Sequence, residues 1–162
     1  MKKLTLQFFY YHSWANKQLM EHLSKLPKEI INKEINSVFP SISQTFVHMY
    51  AVDELWFLRI KGKSVNSIES KQFKTIQEIN DAFTHLHKEI LEFLNLEDDL
   101  ERTVVYSNTK GQRFSNSIRE IIYHIVNHGT YHRGNISAMI RQLGYQGIST
   151  DYIYYLRNAN KE

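Results

Sequence analysis

Ser117-Ile-Arg-Glu-Ile-Ile-Tyr-His-Ile-Val-Asn-His-Gly-Thr-Tyr-His-Arg-Gly-Asn-Ile-Ser-Ala-Met-Ile-Arg-Gln-Leu-Gly144 reads as one long amphipathic helix carrying its own start and stop signals. Ser117 with Glu120 three residues on has the spacing of a capping box. Gly144 is the residue type on which helices end. At ~100° per residue, Ile121, Ile122, Ile125, Gly129, Ile136, Met139, Ile140 and Leu143 all fall within about 60° of Ile118. A stripe that wide and that long needs other helices to cover it.

Three histidines sit near this stripe. His132 falls among the apolar residues at roughly −40°, His128 at its edge near −80°, and His124 further round near −120°. His128 and His132 are four apart, so they lie one turn above each other with Cβ atoms about 6 Å apart. That spacing lets two imidazoles reach one metal ion. A histidine on an apolar face is more often a packed residue than a ligand, so a third partner matters. His48, in Thr45-Phe-Val-His-Met-Tyr-Ala-Val-Asp53, precedes Val52 and Leu55 at i+4 and i+7 and borders the buried side of its own helix. His85 and His87 have polar neighbours at helical spacing and read as solvated. His12 and His22 stay open by pattern.

Two ligands from one helix and one from another leave coordination positions free, as catalytic sites do and closed structural sites do not. Imidazole suits zinc and nickel alike. The residues between His128 and His132 are Gly129, Thr130 and Tyr131. They supply no carboxylate, which excludes the His-Glu-x-x-His peptidase mechanism.

Three further helical patterns precede this one. The first runs from about Thr5 to Leu26 and stops at Pro27, which cannot continue a helix. The second starts after Pro40, with Ser41 and Gln44 at capping-box spacing, and ends near Gly62. The third begins at Thr75 with Glu78 three residues on, and Ile79, Phe83, Leu86, Ile90 and Phe93 form its apolar face. Thr103–Phe114, with Asn108-Thr-Lys-Gly111 at its centre, reads as a hairpin-like loop. Thr150–Arg157 reads as a short C-terminal helix. The expected fold is all-α: a four-helix bundle with a hairpin-like loop before the last long helix, in a single domain spanning 1–162.

The chain has 162 residues, six glycines and two prolines, in keeping with long helices. Its net charge of +3 is scattered, with no basic stripe, which argues against nucleic acid as a partner. It has no cysteine, so any thiol chemistry must use a thiol from outside the chain. The opening Met1-Lys-Lys-Leu-Thr-Leu-Gln-Phe-Phe-Tyr-Tyr-His12 starts like a signal peptide. Gln7 and His12 interrupt it, and it reads as the start of the first helix. With no apolar run of membrane-spanning length, a soluble cytoplasmic protein is expected.

Tyr11-His-Ser-Trp-Ala-Asn-Lys-Gln-Leu19, His48 with Asp53 and Trp56, His124-Ile-Val-Asn-His-Gly-Thr-Tyr-His-Arg-Gly-Asn135 and Thr150-Asp-Tyr-Ile-Tyr-Tyr155 together resemble the DinB family, the DinB/YfiT-like metalloenzymes. The resemblance covers nearly the whole chain. It implies a four-helix bundle with a three-histidine site, often in a homodimer. The metal ligands carry over onto His48, His128 and His132, with a divalent ion such as zinc or nickel. Some relatives resemble transferases or isomerases that use low-molecular-weight thiols such as bacillithiol or mycothiol, which implies thiol S-transfer on a small-molecule substrate. A metal-dependent hydrolase and a non-catalytic metal-binding stress protein are the competing readings. Two positions depart from the family pattern: His12, where asparagine is frequent, and Asn135, where glutamine is common.

Other residues carry plainer expectations. Asp53 lies about 140° from His48 around their helix and reads as a polar residue at a helix interface. Arg133 has an acidic substrate group or Asp151 as candidate partners, with a structural ion pair the preferred reading. Tyr123 and Tyr131 are expected to pack, Trp14 and Trp56 to be core. Tyr10 and Asn16 line the pocket by family pattern alone.

Overall fold

The computed structural model describes residues 2–65, 67 and 71–159. Helix α1 spans Lys2–Leu23, α2 Ile42–Ile60, α3 Ile76–Leu96, α4 Ile118–Gln142 and α5 Tyr152–Ala159. A 3-10 turn covers Lys28–Asn32, and strands β1 (Thr103–Ser107) and β2 (Arg113–Ser117) pair antiparallel as a hairpin. The architecture is helical with one small two-stranded sheet.

Local chemistry sets these boundaries. Ser41 and Thr75 cap α2 and α3 by accepting from the amides of Gln44 and Glu78. Ser117 and Glu120 form the full reciprocal capping box on α4. For α3 the return half is displaced: the Glu78 carboxylate accepts from Lys74 N instead of Thr75 N. The first helix ends earlier than expected, at Leu23. Lys25 and Leu26 bond three residues back, to His22 and Leu23, and that tightened turn delivers the chain to Pro27. Gly62 and Gly144 follow α2 and α4 with φ of 78° and 89°, a backbone region that favours glycine.

The four long helices pack in the cycle α1–α3–α2–α4, so the α1/α3 seam lies opposite the α2/α4 seam. The core between them is dense with Phe9, Phe46, Phe83, Ile79, Ile90 and Ile125, all buried. Burying each such side chain contributes roughly 1.5–3 kcal/mol. Each long helix also places a polar residue at mid-height on its buried stripe. These are His12 and Asn16 on α1, Asp53 on α2, His87 on α3 and Arg133 on α4. Buried polar groups at matching levels must satisfy one another.

Candidate metal centre

The α2/α4 seam brings His48 to His128 and His132. Nε2 of His48 stands 3.0 Å from Nε2 of His128. The ring centres lie 5.0 Å (His48–His128), 4.7 Å (His48–His132) and 4.4 Å (His128–His132) apart. One nitrogen from each ring lies within 4.8 Å of the others. Phe39, from the loop before α2, packs its ring 4.7 Å from His48 and 5.7 Å from His132. No periodicity announces a loop residue of that kind, and Phe39 was not legible as part of the site.

All three rings are held neutral. Burial lowers His128 to about 4, and the neighbouring His132 and His48 push in the same direction. Burial, then His48, lowers His132 to about 4. Burial also lowers His48. Neutral imidazoles offer lone pairs, and the 3.0 Å approach of two Nε2 atoms suits a shared cation: at metal–nitrogen distances of about 2.0–2.1 Å, ligand nitrogens of a tetrahedral ion lie slightly over 3 Å apart. The donor set therefore fits a divalent ion. Nδ1 of His128 is buried without a hydrogen-bond partner.

His124 stays outside, as its angle implied. Its ring centre is 5.9 Å from that of His128 and packs against Trp56. Tyr131 is 60% exposed, yet its ring centre lies 4.9 Å from that of His132 in an edge-on arrangement, so it borders the centre. Asn135 Nδ2 stands 3.5 Å from His132 Nδ1.

Behind the centre lies a second, fully buried cluster. His12 Nε2 is 3.0 Å and His87 Nε2 3.2 Å from the same oxygen of Asp53, Oδ2. Arg133 Nη1 donates to His12 Nδ1 at 3.2 Å and to Asn16 Oδ1 at 3.0 Å; its Nη2 donates to Thr130 Oγ1 at 2.8 Å. This corrects two expectations. His87 is not solvated but 4% exposed. Arg133 forms no ion pair with Asp151; it is buried, with His12 between it and the carboxylate of Asp53. The signal for His87 was present in α3, since Phe83, Ile90 and Leu94 at i−4, i+3 and i+7 are all core residues. Its immediate polar neighbours obscured it. Asn16 belongs to this cluster, and Tyr10 lies on the α1/α3 side of the molecule.

His12, Asp53 and His87 also have a metal-like donor set, but the hydrogen bonds argue otherwise. Arginine only donates, so its contact makes His12 Nδ1 an acceptor and puts the ring proton on Nε2. Nε2 then donates to Asp53 and has no lone pair for a cation. The Asn16 amide nitrogen, 3.4 Å from Nε2, is the longest contact of the set. Burial lowers His12 to about 4, against the pull of Asp53, so this ring too is neutral. Burial alone would raise Asp53, but the His12 and His87 donors outweigh it and hold the carboxyl below its usual range. One buried carboxylate and one buried guanidinium thus balance across a neutral ring.

Gly129 couples the two clusters. A Cβ at this position would overlap the ring of His12 and reach within 2.9 Å of Arg133 Nη1. The absence of a side chain one residue after His128 lets His12 press against the ligand-bearing turn of α4.

The sequence model of the DinB family matches residues 1–162. The chain belongs to the DinB family. It is 38% identical to Protein DinB of Bacillus subtilis (strain 168) over 164 residues, covering 96% of this chain and 95% of that one. The uncharacterized protein YizA of the same organism is 22% identical over 148 residues, with 91% and 93% covered. In fold, the chain is similar to a DinB-like protein from Bacillus cereus ATCC 10987, with a TM-score of 0.69 at 18% identity over 90% of this chain and 94% of the other. The DinB fold thus accounts for the helical layout and the small hairpin. No helix among the described residues is long and apolar enough to cross a membrane.

Proposed function

We propose that this DinB-family protein is a divalent-metal-dependent enzyme. In this reading His48, His128 and His132 hold the ion, and an external low-molecular-weight thiol is the nucleophile that attacks a small electrophile. The observation that carries the reading is the convergence of three neutral imidazoles at 4.4–5.0 Å between ring centres, in a chain with no cysteine.

When bound there, a divalent ion acts as a Lewis acid and lowers the pKa of a thiol or water at the position the protein leaves open. The three rings bring no negative charge, so they do not offset that effect. Phe39 shields one side of His48 and His132 from water. His12 of α1, pressed on α4 beside Gly129 and bonded by Arg133 of α4, braces the turn from which two ligands project. No carboxylate stands among the three ligands, so the thiol's proton would pass to solvent, as its lowered pKa would allow.

The test is elemental analysis of tag-free protein combined with consumption of alkyl halides or epoxides in the presence of a cysteine-based thiol. The expected result is one divalent ion per chain and thiol-dependent turnover that chelation abolishes and added zinc or nickel restores. Turnover that survives complete metal removal, or that persists in His128→Ala, overturns the reading. Turnover without any thiol would move the assignment to hydrolysis.

A further inference from the structure

A cavity lies across the molecule from the three histidines, in the α1/α3 seam. It has a volume of about 600 Å³, within the range of small-molecule pockets. Tyr10 and Trp14 of α1, Phe83 of α3 and Tyr155 of α5 give it aromatic walls. His87 also lines it, and His87 is the outer end of the buried cluster.

We propose that this cleft is a second ligand site, for a small uncharged aromatic molecule carrying one O–H or N–H donor, which His87 Nδ1 accepts. The tautomer carries the argument. His87 Nε2 faces the ionised Asp53 carboxylate at 3.2 Å and must be the protonated nitrogen. In the neutral ring Nδ1 is the remaining acceptor, and it bonds no group among the described residues. Asp53 is itself held by His12, so the ring is fixed in orientation before any ligand arrives. A second polar atom on the same wall is also unused: Ser13 Oγ is buried with no partner. A buried polar group without a partner costs roughly 1–3 kcal/mol, and a ligand that supplies one recovers that cost.

The charges at the rim select against an ionic ligand. Lys17 pairs with Glu21 and Lys88 with Glu92, each at 3.8 Å along its own helix. Both pairs are exposed and weak, but each sets a carboxylate beside the ammonium, so the rim offers an anion no net positive charge. The walls favour a flat ring, and His87 Nδ1 and Ser13 Oγ, neither bonded among the described residues, favour a donor on that ring. The helical core separates this cleft from the three histidines, and none of them lines it.

Phenol is the direct probe. The readout is the imidazole nitrogen resonances of histidine-labelled protein during titration, with benzene as the ring that lacks a donor. Phenol is expected to shift Nδ1 of His87 with a Kd on the order of 1 mM, as suits a ligand of that size, and benzene to bind at least tenfold more weakly. His128→Ala should leave phenol binding unchanged. His87→Phe should abolish the preference for phenol over benzene. Thr84→Trp, an exposed position on the cleft wall, should block both probes without unfolding the chain. Equal binding of phenol and benzene, or phenol binding that Thr84→Trp does not reduce, overturns the proposal. So does sedimentation showing that Thr84→Trp dissolves a dimer of this chain, because the cleft would then be a protein interface.

Discussion

His12 fills the space left by Gly129: its ring rests where a Cβ at position 129 would stand, one residue after His128. A polar side chain of α1 is thereby packed against the backbone turn that presents two of the three convergent imidazoles. Disturbing either residue should be felt at the centre, although neither belongs to it.

Gly129→Ala tests that contact. Alanine gains up to about 1 kcal/mol in helix propensity, but the overlap with His12 should cost about 1–3 kcal/mol through displaced packing. We expect a net loss of stability in urea unfolding and weaker metal retention in a chelator competition. A variant that is more stable and retains metal equally well would show that His12 does not press on α4.

Arg133→Met should be strongly destabilising. It removes donors to His12, Asn16 and Thr130, and it leaves the Asp53 carboxylate without a buried counter-charge. The expected cost is at least about 2–3 kcal/mol. A loss below roughly 1 kcal/mol by chemical denaturation would mean the charge balance described here is not what holds the cluster.

The two histidine clusters should differ in metal stoichiometry. We expect one ion per chain, retained in His87→Gln and lost in His128→Ala or His48→Ala, by elemental analysis after dialysis. Two ions per chain, with one lost in His87→Gln, would contradict the tautomer assigned to His12.

The pH dependence of the metal-stripped protein follows from the depressed histidines. The folded values of His12, His128 and His132 lie near 4, against 6.5 for the free side chain. The unfolded chain therefore binds more protons between those two values, and stability falls as pH drops through that window. Above about 6.5 their contribution is complete. Below it Asp53 adds a further loss only once the pH passes under the ordinary carboxylate value near 3.8. Thermal unfolding with chelator should give a clearly lower Tm at about pH 5 than at about pH 7.5, and a flat Tm across that range would refute the assignment of neutral buried rings.

Helix by helix, much of this protein was readable from local chemistry. Ser41, Thr75 and Ser117 mark helix starts because a cap depends on residues three apart in sequence, and Gly62 and Gly144 mark ends because a positive φ excludes most side chains. The angular reading separated His128 and His132 from His124 because rotation along one helix is fixed by its period. His48 was only a candidate from the apolar border of its own helix and from the family pattern; the folded chain brings its ring to the other two.

What lay beyond the sequence depends on which helices face each other. His87 shares its face of α3 with Phe83, Ile90 and Leu94, but that it meets Asp53 there follows only from the α1–α3–α2–α4 packing. Arg133 has no carboxylate nearby in sequence to signal its role. Its partner is a histidine 121 positions away, reached because α1 and α4 pack together. Gly129 reads only as part of the apolar stripe of α4; its contact with His12 is visible only in the folded chain. Spacing within a helix is a local property, so the pair His128 and His132 was determined by sequence. The third ring, the buried cluster behind it and the tautomer of His12 are contacts between helices, and only the folded packing decides those.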